Sequence, residues 1–242
     1  MKLLLALLPI LIFADPATYE YIYNETSPVH ILEVNLEEAE LTLVNCDARE
    51  KTSVVAERYE ALAALNGGFY KADGAPSGIF RMDHVALSGT DRSRGALGWS
   101  PFLIDRLDTD PETGALIPVF HPENQATWES MNYILGTTPV LIIDGSIPDF
   151  NEESVRLDFL QNRFPRTAMG IKEDGHLIFV LVKGSGMTIV ELAEFMLSQG
   201  CRDAINLCGG SSSSLYFKGL IVHANELEEK SVGNVIIIKD RM

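Results

Sequence analysis

Ala204-Ile205-Asn206-Leu207-Cys208-Gly209-Gly210-Ser211-Ser212-Ser213 reads as a short apolar strand that runs into a loop of glycines and hydroxyls. Glycine lacks a Cβ, so the backbone there can adopt unusual dihedrals and let a ligand approach its N–H groups. Consecutive serines add groups that donate or accept hydrogen bonds. Such a loop suits an oxygen-rich ligand, a phosphate or a sugar, although a Gly/Ser run is also the signature of a plain turn. The strand Ala204–Leu207 is expected to lie inside a sheet, so that the loop emerges at the sheet's end.

Working outward, the clearest helix precedes this strand. Thr188-x-x-Glu191 is a capping box, and Ile189, Leu192, Ala193 and Met196 follow helical spacing up to Gly200, which can stop the helix. Elsewhere strands dominate. The alternation at Leu32, Val34 and Leu36, followed by Leu41 to Val44, predicts a hairpin. Ser53 is placed to cap a short helix through Tyr59, and Ala61 to Leu65 leads into Asn66-Gly67-Gly68-Phe69-Tyr70. Gly78 to Arg81 and Val85 to Leu87 are expected to pair around Met82-Asp83-His84. Asp144-Gly145 and Asp174-Gly175 are further hairpin turns, and Val235 to Ile238 forms a last strand. The fold class that follows is α+β: a single domain with a mixed, mainly antiparallel sheet and a few packed helices.

The 242 residues, 46% of them hydrophobic, suffice for one large core, and no linker-like segment divides them. A net charge of −15 opposes non-specific nucleic-acid binding, which needs clustered Lys and Arg. Met1-Lys2, the apolar run Leu3 to Phe13 and Ala14 fit a signal peptide over residues 1–14, too short to span a bilayer, with the folded domain over 15–242. Cleavage would remove Lys2 alone among the charges, taking −15 to −16. The expected location is secreted, periplasmic or cell-envelope, with no stable membrane anchor after cleavage. Cys46, Cys201 and Cys208 match neither a disulfide framework nor a zinc site, and Cys201 and Cys208 sit roughly 20 Å apart if the strand between them is extended. The five histidines show no metal-binding spacing, so neither metal nor cofactor is expected.

Three segments in order resemble the phosphodiester glycosidase family. They are Asn66-Gly67-Gly68-Phe69-Tyr70 with Arg94-Gly95-Ala96-Leu97-Gly98; Leu135-Gly136-Thr137-Thr138-Pro139-Val140-Leu141 with Asp144-Gly145; and Pro165-Arg166-Thr167-Ala168-Met169-Gly170-Ile171 with the Asn206–Ser213 loop and Asn234. The resemblance spans roughly residues 30 to 238. It implies a hydrolase that separates a sugar C1 from a phosphodiester on a small molecule or glycan. Phosphate is already a good leaving group, so such a site chiefly needs charge neutralisation, stabilisation of an oxocarbenium-like sugar, and a water or nucleophile at C1.

Arg166 is the first candidate for the phosphate, because guanidinium makes bidentate contacts and is always charged; its alternative is a structural ion pair. Arg94 is the second. Asn66 is a candidate for the catalytic set, able to bind sugar hydroxyls or to hold a turn. Gly209, Gly210, Ser211, Ser212 and Asn234 complete the expected binding surface. The family's loop reads Leu-Asp-Gly-Gly-Gly-Ser-Ser, so Cys208 stands at its aspartate and Ser211 at its third glycine. A neutral thiol replaces neither a base nor an anionic anchor, and becomes a nucleophile only when its pKa falls. Asp73, Asp83 and Glu191 are the carboxylates able to substitute if they reach the Cys208 loop. The acidic run Asp108, Asp110, Glu112 reads as a solvated hairpin tip. Three readings follow: an exported phosphodiester glycosidase, a non-catalytic carbohydrate- or phosphate-binding descendant, and cysteine-based hydrolysis through Cys208.

Overall fold

The structure, a computed structural model, describes residues 15–89, 93–99 and 101–241. The expected signal peptide, residues 1–14, lies outside them. Three antiparallel sheets make the framework. The first has the strand order Ala17–Ile22, Val29–Val34, Leu177–Met187, Phe164–Lys172, Cys201–Asn206, Val140–Ile142. The second runs Val85–Ser88, Phe80–Met82, Tyr133–Gly136, Arg94–Trp99, Leu103–Thr109, Leu116–Pro118. The third runs Leu220–His223, Ser214–Phe217, Ala63–Asn66, Ser231–Asp240, Ala39–Lys51.

The expected α+β class is therefore corrected to a mostly β fold. Every strand pairing among the described residues is antiparallel, so the sheets are not mixed. The central core is sheet against sheet: Leu32, Met169 and Phe179 of the first meet Phe80, Leu97 and Leu135 of the second and Leu43, Leu65 and Ile236 of the third. The helices Thr52–Arg58, Gln125–Ser130, Leu157–Gln161 and Ile189–Ser198 lie outside it. The physical cause is visible in Leu177-Ile178-Phe179-Val180-Leu181-Val182. Alternate residues Leu177, Phe179 and Leu181 enter the central core, while Ile178, Val180 and Val182 meet the longest helix, so both faces are apolar.

That helix forms as expected. Thr188 and Glu191 make the reciprocal capping box, and Gly200 beyond its end has a φ of +82°. Ile189, Leu192, Ala193 and Met196 are buried against the first sheet. Leu192→Ala should cost about 2–5 kcal/mol through lost burial and a residual cavity. Urea unfolding checks this; a loss below about 1 kcal/mol would mean that the helix packs loosely.

Other expectations divide. The Phe80–Met82/Val85–Ser88 and Asp174-Gly175 hairpins form. Strand Cys201–Asn206 is interior, and the three cysteines are free. The first expected hairpin does not form, because Val29–Val34 pairs in the first sheet and Ala39–Lys51 in the third. Residues 35–38 are thus an inter-sheet crossing, and local alternation cannot tell the two arrangements apart. Ser53 is no cap: it lies one residue inside its helix, where its backbone N–H and hydroxyl both donate to buried Glu229.

A clasp joins the first two sheets. Buried Asp105 accepts from His121 Nδ1 at 3.1 Å, and His121 Nε2 lies 3.0 Å from Asp144, in the turn after strand Val140–Ile142. Burial opposes charge on the imidazole, yet Asp144 and Asp105 outweigh it and hold its pKa above 6.5. A raised folded-state pKa means the clasp stabilises fully below pH 6.5 and fades as pH climbs through the raised value. The Tm of the native protein minus that of His121→Ala should therefore shrink between about pH 6 and pH 9. A constant difference would show that the charged imidazole contributes nothing.

Candidate functional site

The Gly/Ser loop is tied into place by backbone. Cys208 N–H donates to the Gly67 carbonyl at 3.0 Å, and Gly67 N–H donates to the Asn234 carbonyl at 3.0 Å. These bonds stitch the end of the first sheet to the third. Gly209 is required by space: a Cβ there would lie 2.8 Å from the Pro165 carbonyl oxygen. Gly210 is required by its φ of +62°, which opens the short turn Gly210–Ser212. Ser211 is exposed, whereas Ser212 is buried with its hydroxyl 2.9 Å from the Tyr70 hydroxyl.

Asn66 is fully buried and its amide is committed. Nδ2 donates to the Cys208 carbonyl at 2.5 Å, while Oδ1 accepts from Thr167 Oγ1 and Ser214 N–H, each at 3.0 Å. It clamps the loop rather than reaching outward. Asn234 is also fully buried; its amide has no hydrogen-bond partner among the described residues and lies against Gly67, where a Cβ would collide with it.

Arg166 is fully buried and meets no carboxylate among the described residues. Its Nε donates to Met187 O at 2.9 Å, and Nη2 donates to Phe159 O at 2.8 Å and Asn162 O at 3.0 Å. Its guanidinium also sits 4.5 Å from the centroid of Phe159 and 5.3 Å from that of Phe164. Burial lowers its pKa to about 10, which leaves it charged at neutral pH. The structural ion pair considered for it does not form among the described residues. It holds the end of helix Leu157–Gln161, whose Phe159 ring is a wall of the adjoining cleft.

That cleft has a volume of about 320 Å³. Phe69, Tyr70 and Phe159 supply aromatic walls, with Phe69 and Phe159 in edge contact at 6.0 Å. Ser77, Thr138 and Ser154 supply hydroxyls, and Arg94 and Arg156 supply positive charge. Arg94 Nη1 donates to Ser77 O at 3.4 Å, and Arg156 is exposed and paired with Asp158. The described lining includes no Asp or Glu. In a chain of net charge −15 this is a local reversal of sign suited to an anion.

The remaining candidates go elsewhere. Asp73 makes a local turn bond to Ala75 N–H, and Asp83 accepts from the Tyr133 hydroxyl on a hairpin. Glu191 is spent on its capping box and on Arg163. Asp110 caps its own turn through Glu112 and Thr113 N–H groups, as a solvated tip should. Burial pushes the Cys208 thiol up to about 11, so it is protonated at neutral pH. Glu33, Asp174 and His176 approach closely enough to share a cation, but Lys172 already donates to Glu33 at 3.0 Å.

Sequence reasoning missed Arg156, Phe159 and Thr138 as lining, and buried Glu153 behind them. Thr138 lies inside a quoted motif; Phe159 stands in a five-residue helix, too short to show a period, and Glu153 just after a short turn, so no pattern marks either. The order of the three motifs was the informative signal, and the comparisons agree with it. The sequence profile of the phosphodiester glycosidase family matches residues 59–239. Human N-acetylglucosamine-1-phosphodiester alpha-N-acetylglucosaminidase is 28% identical over 194 residues, covering 73% of this chain and 36% of that protein. The chain thus spans about a third of the length of that curated relative. Among solved structures, the zebrafish N-acetylglucosamine-1-phosphodiester alpha-N-acetylglucosaminidase catalytic domain superposes with TM-score 0.69 at 20% identity, covering 93% of this chain and 82% of that one. A hypothetical protein from Synechocystis superposes with TM-score 0.74 at 17% identity, covering 93% and 62%. With its profile match extending over most of its length, the chain belongs to the phosphodiester glycosidase family.

Proposed function

We propose that this chain binds a sugar-1-phosphodiester in the Arg94 cleft and hydrolyses the bond to sugar C1. The observation that carries this reading is the cleft: guanidinium groups of Arg94 and Arg156 beside aromatic faces of Phe69, Tyr70 and Phe159. Arginine neutralises and orients a phosphodiester, aromatic faces pack on the apolar faces of a sugar ring, and the hydroxyls of Ser77, Thr138 and Ser154 fit its polar edge. Buried Arg166, held behind Phe159, adds positive potential without touching the ligand. The human relative is named for an N-acetylglucosamine-1-phosphodiester, which makes that sugar the first to try. The apolar run Leu3 to Phe13 supports export, so envelope or extracellular glycan phosphodiesters are the proposed substrates.

A second reading, binding without turnover, is favoured by two observations. Cys208 holds a protonated thiol where the family has aspartate, and no carboxylate stands among the described lining residues. The two separate in one experiment. Purified protein is incubated with a panel of sugar-1-phosphodiesters, beginning with N-acetylglucosamine, and free sugar is assayed alongside calorimetric binding. Sugar release supports the hydrolase; saturable binding with no release supports the second reading; neither binding nor release would overturn both.

A further inference from the structure

Glu153 is a carboxylate with 6% exposure that the reading above leaves without a role. It accepts three hydrogen bonds from two other segments: Gly95 N–H at 3.1 Å on one, and Val140 N–H at 2.6 Å with the Thr138 hydroxyl on the other. Each contact adjoins a wall of the cleft. Gly95 follows Arg94, Thr138 is itself lining, and Glu153 is followed directly by Ser154, Val155 and Arg156. Burial drives its pKa up, against the hydrogen bonds that favour its charged form. Nearby Arg106 also favours that charge and is itself held by Glu152 at 3.0 Å. A buried carboxylate is costly to keep, and an apolar side chain of similar size would pack without that cost. What an apolar group cannot do is tie its own segment by hydrogen bonds to the Gly95 strand and to the Thr138–Val140 run, which are themselves joined through Thr137 N–H and the Gly95 carbonyl at 2.9 Å.

We propose that Glu153 is a positioning residue for the cleft: one carboxylate holds Arg94, Thr138 and the Ser154–Arg156 segment at the spacing a sugar-phosphodiester requires. This rests on the sugar-phosphodiester reading of the cleft for its ligand, but not for its geometry. Each oxygen of Glu153 faces a backbone N–H, Gly95 on Oε2 and Val140 on Oε1, and these groups can only donate, so both oxygens must accept. Glu153→Gln keeps the shape but turns one oxygen into an NH2 that must face a backbone N–H, so the contact to Gly95 or the contact to Val140 is lost.

The experiment compares wild type, Glu153→Gln and Leu116→Ala. Buried Leu116 belongs to a core cluster of the second sheet that includes no lining residue of the cleft, so its variant reports what general destabilisation does. The probes are the methyl ester of N-acetylglucosamine 1-phosphate and inorganic phosphate. KM and kcat are read if sugar is released, Kd if it is only bound, and amide hydrogen exchange at Gly95 and Val140 is read in every case. Glu153→Gln should raise KM or Kd about tenfold or more and speed exchange at one or both amides. Leu116→Ala should lower the folded, active fraction and leave KM or Kd unchanged. An unchanged KM or Kd in Glu153→Gln, with both amides still protected, would overturn the proposal. If the wild type ignores both probes, the sugar-phosphodiester reading fails. Exchange then decides Glu153 alone: unchanged protection overturns its positioning role, and faster exchange confined to Glu153→Gln upholds it.

Discussion

Replacing Arg166 with alanine should destabilise the protein by about 4 kcal/mol or more and weaken phosphodiester binding with it. Two opposing effects set that magnitude. Lowering the pKa of a guanidinium from 12.5 to about 10 corresponds to a penalty of about 3 kcal/mol on its charged form. Against this stand three hydrogen bonds from a charged donor, worth roughly 1.5–3 kcal/mol each, and stacking on two rings. The contacts win, and alanine would also leave three carbonyls without a donor beside a large cavity. Binding should fall because Phe159 loses its anchor, not because a phosphate loses a direct contact. Arg166→Met separates the two: it keeps most of the volume and removes the donors. Urea unfolding and calorimetric titration with a sugar-1-phosphodiester should show Arg166→Met losing stability and affinity together. Lost affinity with stability intact would instead place the guanidinium on the ligand.

Restoring a carboxylate at the loop, Cys208→Asp, should raise sugar release, by roughly tenfold for every 1.4 kcal/mol recovered from the barrier. The Asn66 and Gly67 bonds to Cys208 run through its backbone, so the substitution leaves the clamp unchanged. Tyr70 and Ser212 stand beside the position with hydroxyls able to orient the new group. Cys208→Ser should be silent, because a thiol whose pKa is pushed to about 11 is about one part in ten thousand thiolate at pH 7. Steady-state assays of free sugar for wild type and both variants decide the matter. Brisk wild-type turnover that Cys208→Ser abolishes would establish sulfur as the nucleophile. A Cys208→Asp protein no faster than wild type would mean that the aspartate of this loop has no catalytic part here.

What the chain alone determined is what depends on neighbours in sequence. The Thr188–Glu191 capping box closes within four residues, and the Asp174-Gly175 turn within a hairpin, so both were legible from spacing. The three motifs were also legible as a family resemblance, since glycines at Gly209 and Gly210 are demanded by local space and dihedral angle. Pairing partners were not. Val29–Val34 and Ala39–Lys51 carry the same alternation whether they form a hairpin or join different sheets. Only contacts with Leu177–Met187 and Ser231–Asp240, far along the chain, choose between them. The mostly β class followed from the same long-range pairing, which moved the helices to the periphery.

The site divides along that line too. Sequence chemistry marked Asn66, Arg94, Arg166 and the Gly/Ser loop, and tertiary structure brings them into one neighbourhood. It could not assign their tasks, because an amide or guanidinium has the same donors wherever it points. Asn66 and Arg166 turned out to spend theirs on carbonyls and hydroxyls of the protein. Glu153 and Phe159 had no periodic or motif signal, and became visible only when Gly95, Thr138 and Val140 were seen around one carboxylate, and Arg166 behind one ring. Residue type limits what a group can bind; which partner it meets is decided by packing among segments distant in sequence.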